Sequence, residues 1–197
     1  IPNIKIAKLM GKYKTYTQFF YPEIKDFIDE IERQKIKEEI FSDDLTSLTE
    51  FEERRKIGEN DSYLCKLIRE DSVIEFIKYV NNKNLPLSGI ITPSIYETNT
   101  FFINRNATLI EYAAFYGSIQ IFQYLRMNDV EIRPIIWLYA IHSNNGELIH
   151  LIEEEEMIKE NNYINPQKLF KEAIKCHHND IANYIRNCML PNNYSFE

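Results

Sequence analysis

The sequence predicts an all-α fold built from short helix-turn-helix units, and three observations carry that prediction. Apolar residues recur at helical spacing along most of the chain. Only five glycines occur in 197 residues, too few for the Gly-marked turns of a sandwich or barrel. One stretch, Thr108 to Leu125, reads as a complete unit. It has a hydroxyl residue at a helix start, the small pair Ala113 and Ala114 where two helices touch, a corner at Gly117, and Ile121, Phe122 and Leu125 on an antiparallel second helix.

Hydrophobic content of 44% with 13% aromatics places the chain among globular proteins. Its length fits one domain or one continuous array. A net charge of −7 and the absence of a basic run argue against nucleic acid as a partner. Cys65, Cys176 and Cys188 form an odd count without a C-x-x-C pair, which fits free thiols in a reducing compartment. No apolar stretch approaches the roughly 20 residues that span a bilayer, and the first residues given do not read as a charged-then-apolar leader. The expectation is a soluble intracellular, cytoplasmic protein with no membrane partner, with the nucleus as a secondary alternative.

Residues 1–61 carry a different rhythm from the rest. Ile24, Phe27, Ile28 and Ile31 stand at i, i+3, i+4, i+7 after Pro22, predicting one amphipathic helix whose stripe continues less cleanly through Ile36 and Ile40. A second start signal at Ser42-Asp43-Asp44 precedes Leu45, Leu48 and Phe51, and Gly58 ends that run. The region reads as an N-terminal helical cap or a flanking helical segment.

From Ser62 the unit pattern can be tested by counting. With Ala113 as reference, Ile68, Ala140 and Ala173 take the same place in other segments. Eight residues on stand Phe76, Ile121, Leu148 and Ile181; nine on, Ile77, Phe122, Ile149 and Ala182; twelve on, Val80, Leu125, Ile152 and Ile185. All are apolar, an outcome that chance gives roughly once in tens of thousands of tries for a fixed alignment. Three residues before the references come Cys65, Ile110, Trp137 and Phe170. The spacings of 45, 27 and 33 residues imply an insertion after the first unit and a shortened connection after the second. That insertion, residues 81–106, contains Pro86, Gly89 and Pro93 and two β-prone patches, Gly89 to Ile91 and Thr100 to Ile103. It predicts a long loop with a short helix around Ser94 to Glu97. The last unit ends near Asn187, before a tail at 188–197 that offers nothing to cap a stack.

These aligned residues resemble ankyrin repeats, whose signature is T-P-L-H-x-A-A-x-x-G-H followed by I-V-x-x-L-L. Thr108-Leu109-Ile110-Glu111 stands in place of T-P-L-H, and Ala113, Ala114, Gly117, Ile121, Phe122 and Leu125 match. With L-Y-A-I-H-S-N-N-G-E-L-I-H-L-I and K-C-H-H-N-D-I-A-N-Y-I, the chain looks like the divergent protozoan ankyrin proteins that carry an ankyrin-containing domain of unknown function. The likeness covers about Ser62 to Asn187. The Pro and His of T-P-L-H are absent throughout, and Asn144 and His177 stand where Gly117 turns the corner. The resemblance implies an ankyrin-like solenoid of about four repeats over 62–187, capped by N-terminal helices.

It also implies a non-enzymatic module that binds a partner protein or peptide through a concave surface. The alternative is a structural spacer or scaffold segment of a longer array. In ankyrin-like units the residues two and three after the reference project into that surface, here Glu70, Asp71, Phe115, Tyr116, His142, Ser143, Lys175 and Cys176. The connecting fingers add Asn104, Arg105, Asn106 and the stretch from Met127 through Asp129 and Glu131 to Arg133. Phe115 and Tyr116 are the residue types that anchor interfaces.

Chemistry finds little purchase in the sequence. No phosphate-cradling, nucleophile-elbow or dinucleotide motif is present, so no cofactor and no small-molecule substrate is expected. His142, His150, His177 and His178 raise the question of a metal, but Cys176-His177-His178 are adjacent residues pointing different ways from a turn, so no metal site is expected. Glu153 to Glu156 read as a solvated acidic face. Cys65 reads as packing, since a buried thiol in apolar surroundings is inert.

Overall fold

The structure, a computed structural model, describes residues 14–41, 48–103, 105–153 and 165–191. Those residues form thirteen helices and no strand, apart from one isolated antiparallel bridge between Ile90 and Thr108. The chain divides into two compact units. The first holds residues up to Ser62 together with Thr92–Arg105, and the second holds Tyr63–Ile91 and the chain from Asn106 onward.

In the first unit, α1 (Lys14–Phe19), α2 (Tyr21–Ile24), α3 (Glu30–Ile40) and α4 (Leu48–Ile57) surround a core of Tyr21, Ile36, Ile40, Phe51 and Tyr96. The single helix expected from Pro22 through Ile31 is broken. Asp29 interrupts it because its carboxylate accepts the Glu32 backbone N–H at 2.9 Å, and so starts α3 afresh. The restart changes the helical phase: Ile31 is 85% exposed, while Ile36 and Ile40, four residues apart, supply the buried face. Gly58 ends α4 at φ +71°, and the expected Ser42 to Leu45 start signal lies outside the described residues.

The second unit is a series of four helix pairs: α5 (Tyr63–Arg69) with α6 (Val73–Asn82), α8 (Leu109–Tyr116) with α9 (Ile119–Met127), α10 (Ile136–Ser143) with α11 (Gly146–Glu153), and α12 (Pro166–Lys175) with α13 (Asn179–Cys188). The first helices of the pairs pack on one another in order, α5 on α8, α8 on α10 and α10 on α12. Ala113, Ala140 and Ala173 are fully buried at these contacts, where a small side chain lets helix axes approach. Of the apolar positions counted along the sequence, all are buried except Ile77. α8 begins with a capping box, in which Thr108 accepts from the Glu111 N–H and Glu111 accepts from the Thr108 N–H.

Every pair turns through a residue in the left-handed region: Asp71 (φ 49°), Gly117 (φ 70°), Asn144 (φ 53°) and His177 (φ 59°). Three of the four corners therefore keep the glycine-like conformation without glycine. Their turn bonds fix the register. Ser72 N donates to Leu67 O as Ser118 N does to Ala113 O and His178 N to Ala173 O. Leu67, not Ile68, is thus the equivalent of Ala113 at the corner, and α6 carries one extra residue before Val80 falls back into phase with Leu125. Apolar counting selected Ile68 because Phe76 and Val80 weigh the alignment toward the second helix.

The insertion differs from a plain loop. Ile91 N donates to Ala107 O (2.8 Å) and Leu109 N to Gly89 O (3.0 Å), closing a neck around the Ile90–Thr108 bridge. Beyond that neck, Thr92–Arg105 belongs to the first unit, where Tyr96 packs on Phe51 and Thr98 N donates to Gly58 O. The β-prone Thr100 to Ile103 patch forms a short helix, α7 (Thr100–Ile103), and residues 95–96 form a turn. Helix formation there follows Asn99, whose side chain accepts the Phe101 N–H.

Candidate functional site

The C-terminal ends of α5, α8, α10 and α12 present a continuous ladder of side chains. Arg69 ends α5, Phe115 and Tyr116 end α8, His142 lies in the last turn of α10, and Lys175 ends α12. The Arg69 guanidinium lies 5.9 Å from the Tyr116 ring centre and donates to the Tyr112 hydroxyl at 2.9 Å. Tyr116 meets Phe115 edge to face at 5.1 Å, and Phe115 stacks on His142 at 4.7 Å with ring planes 21° apart. Phe115, Tyr116 and His142 are half-buried. Arg69 and Lys175, in the last turns of α5 and α12, suit the negative ends of those helix dipoles.

At α12 the ladder meets a cluster of three donor side chains. His142 Nε2 lies 3.2 Å from Glu172 Oε1, and Cys176 Sγ lies 3.5 Å from His142 Nδ1. Glu172 and Cys176 share a helical face four residues apart, and Lys175 pairs with the other Glu172 oxygen at 3.2 Å. Burial first, then the Glu172 charge, pushes the Cys176 thiol above its usual range, with Lys175 opposing. The thiol is also the C-cap of α12, at the negative end of the dipole. A thiolate nucleophile is therefore disfavoured here, despite a nearby imidazole.

The residues expected to project divide into three groups. Phe115, Tyr116, His142 and Lys175 stand in the ladder, with Glu70 exposed beside Arg69 at the end of α5. Asp71, Ser143 and Arg133 make hydrogen bonds within the frame. Both Asp71 oxygens accept backbone N–H groups of α9, from Gln120 at 3.0 Å and Ile121 at 2.9 Å. Ser143 Oγ donates to Ala140 O and accepts the Asn145 N–H. Arg133 grips the buried Glu111 carboxylate through two bonds of 2.9 and 2.7 Å, which raises the Arg133 pKa. Asp129 and Glu131 are exposed on the connection before α10, and Arg105 belongs to the first unit, its guanidinium over Phe101 at 4.2 Å. Asn104 and Glu154 to Glu156 lie outside the described residues.

Sequence reasoning missed Arg69 because the reference was set one residue late. Two after Leu67, Arg69 is the counterpart of Phe115 and His142. It also missed the pairing of His142 with Glu172 and Cys176, for which the only sequence signal was the E-x-x-x-C spacing on one helix face. Of the adjacent Cys176, His177 and His178, His177 occupies the left-handed corner and His178 stands at the N-cap position of α13 without a side-chain cap bond. Among the described residues no helix is long and apolar enough to cross a membrane. Comparisons with protein-family models, curated proteins and solved structures find no match.

Proposed function

We propose that the second unit is a divergent ankyrin-type solenoid that acts as a non-enzymatic interaction module, binding a partner protein or peptide along the ladder. The observation that carries this reading is the unbroken run Arg69, Tyr116, Phe115, His142, half-buried aromatic and cationic groups displayed in order on successive helices. Tyr, Arg and large aromatic groups dominate binding energy at interfaces, because they desolvate a large area with few rotamers to freeze. Stacked pairs with a shared corner geometry display such groups at regular intervals, suiting an extended polypeptide rather than a compact metabolite. The net charge of −7 favours a protein partner over nucleic acid.

The test compares immobilised wild-type chain with the Phe115→Ala/Tyr116→Ala double variant in cell extract. The reading requires that a specific partner bind the wild type and be lost from the double variant while its helical circular dichroism and melting remain cooperative. Retention of every partner by a folded double variant would exclude the ladder as the binding surface.

A further inference from the structure

We propose that His142, Glu172 and Cys176 form a binding site for a divalent transition metal of the zinc class, with a fourth position left for water. One donor atom of each residue lies within 4.8 Å of the other two, and all three side chains are partly buried. A tetrahedral zinc centre, with bonds of about 2.0 to 2.3 Å, holds its nitrogen and oxygen ligands about 3.4 Å apart and its nitrogen and sulfur ligands about 3.6 Å apart. Here His142 Nε2 stands 3.2 Å from Glu172 Oε1 and 3.9 Å from Cys176 Sγ, so both pairs that involve the imidazole lie within a few tenths of an ångström of that spacing. The mixture of thiolate, imidazole and carboxylate suits zinc and cobalt and does not suit magnesium or calcium, which take oxygen.

The surroundings favour a cation for the same reasons that they disfavour a bare thiolate. The site lies at the C-terminal ends of α10 and α12, where the dipoles are negative, and it contains a carboxylate. A bound divalent ion deprotonates the thiol outright, the proton passing to solvent, and the resulting ligand set neutralises the ion's charge. Phe115, stacked on the imidazole, fixes the ring plane, and Lys175 holds Glu172 Oε2, leaving Oε1 for the metal. His142 sits 30 residues from Glu172 and 34 from Cys176 in sequence, but on a helix that packs directly against theirs, so the folded frame arranges them before the ion arrives.

The experiment titrates cobalt into reduced, untagged protein and follows the thiolate-to-cobalt charge-transfer band and the visible bands of tetrahedral cobalt. The expected result is one cobalt per chain, displaced by zinc, with the charge-transfer band absent in Cys176→Ser. Glu172→Gln weakens binding by at least about tenfold and His142→Ala by about 100-fold or more, since even outer-shell changes reach that range. Iodoacetamide labelling read by peptide mass spectrometry supplies a measurement on the wild type alone. Zinc protects Cys176 and leaves the exposed Cys188 reactive. Absence of the band in folded wild type, a band that survives Cys176→Ser, or unchanged Cys176 labelling under saturating zinc would each overturn the proposal.

Discussion

Phe115 and His142 stack nearly parallel, 4.7 Å apart, although they belong to different helix pairs. The contact joins two surfaces of different chemistry. On one side run Tyr116 and Arg69; on the other stand Glu172 and Cys176. His142 thus has its ring plane set by an apolar neighbour and its edge nitrogens turned to polar ones, which is how a ligand or contact residue is kept in one rotamer.

Phe115→Ala removes the stack and frees the imidazole to rotate. Cobalt affinity is expected to fall about tenfold, the effect of losing an orienting neighbour. Tyr116→Ala, which keeps the Phe115–His142 stack, leaves cobalt affinity unchanged, so the pair of titrations separates orientation from general loosening of α8.

The corners make a second prediction. Gly117 sits at φ +70°, and an added Cβ would lie 3.3 Å from Ser143 Cβ, so Gly117→Ala is destabilising by about 1–2 kcal/mol in urea unfolding. His177 holds the same region at φ 59° with an exposed side chain, so His177→Gly is expected to raise stability by roughly 0.5 kcal/mol. Opposite signs at equivalent positions test the conformational argument against any account based on lost contacts.

Helical class and buried positions were legible because the 3.6-residue period is written in side chains that must be buried, such as Phe122, Leu125 and Ile185. The corners were less legible, since Asp71, Asn144 and His177 adopt a conformation that only Gly117 advertised. One extra residue in α6 hid Arg69, because apolar counting cannot tell which of Leu67 and Ile68, both buried, precedes the turn. The break at Asp29 was hidden in the same way: the apolar spacing ran through it, while the capping carboxylate decided the phase. The donor cluster was the least legible part, for its members meet only through packing of α10 on α12.

Glu111 is buried at 1% side-chain exposure and depends on Arg133 for its charge balance. Arg133→Met keeps the aliphatic stem but removes both charge-assisted bonds. A loss of about 1–2 kcal/mol is expected, reduced from the buried-pair range because the arginine itself is 45% exposed. Glu111→Gln in the Arg133→Met background recovers part of it, since a neutral amide can stay at the capping position without a counter-ion. A thermal melt of the two variants decides whether Arg133 serves the frame. If Arg133→Met left stability untouched, its bond to Glu111 would not matter to folding.

Tyr112 is fully buried, and burial first, then neighbouring Cys65 and Tyr116, hold its phenol protonated well above the ordinary range. In the unfolded chain the same phenol ionises near pH 10. Below that pH it is protonated in both states and its contribution is fully present; above it the unfolded state gains by losing a proton that the folded state keeps. Stability should therefore decline as pH rises past about 10, by at most about 1.4 kcal/mol per pH unit for this one group. Tyr112→Phe loses the bond from Arg69, costing about 1 kcal/mol at neutral pH, but it removes this alkaline component. Urea unfolding of both chains between about pH 8 and about pH 11 should show the stability curves converging at the alkaline end. Tyr184, raised by burial and by its bond to Glu153, is untouched by the substitution and leaves a residual slope in both. Parallel curves would mean that Tyr112 ionises as readily in the folded chain as in the unfolded one, contrary to its enclosure between α5 and the end of α8.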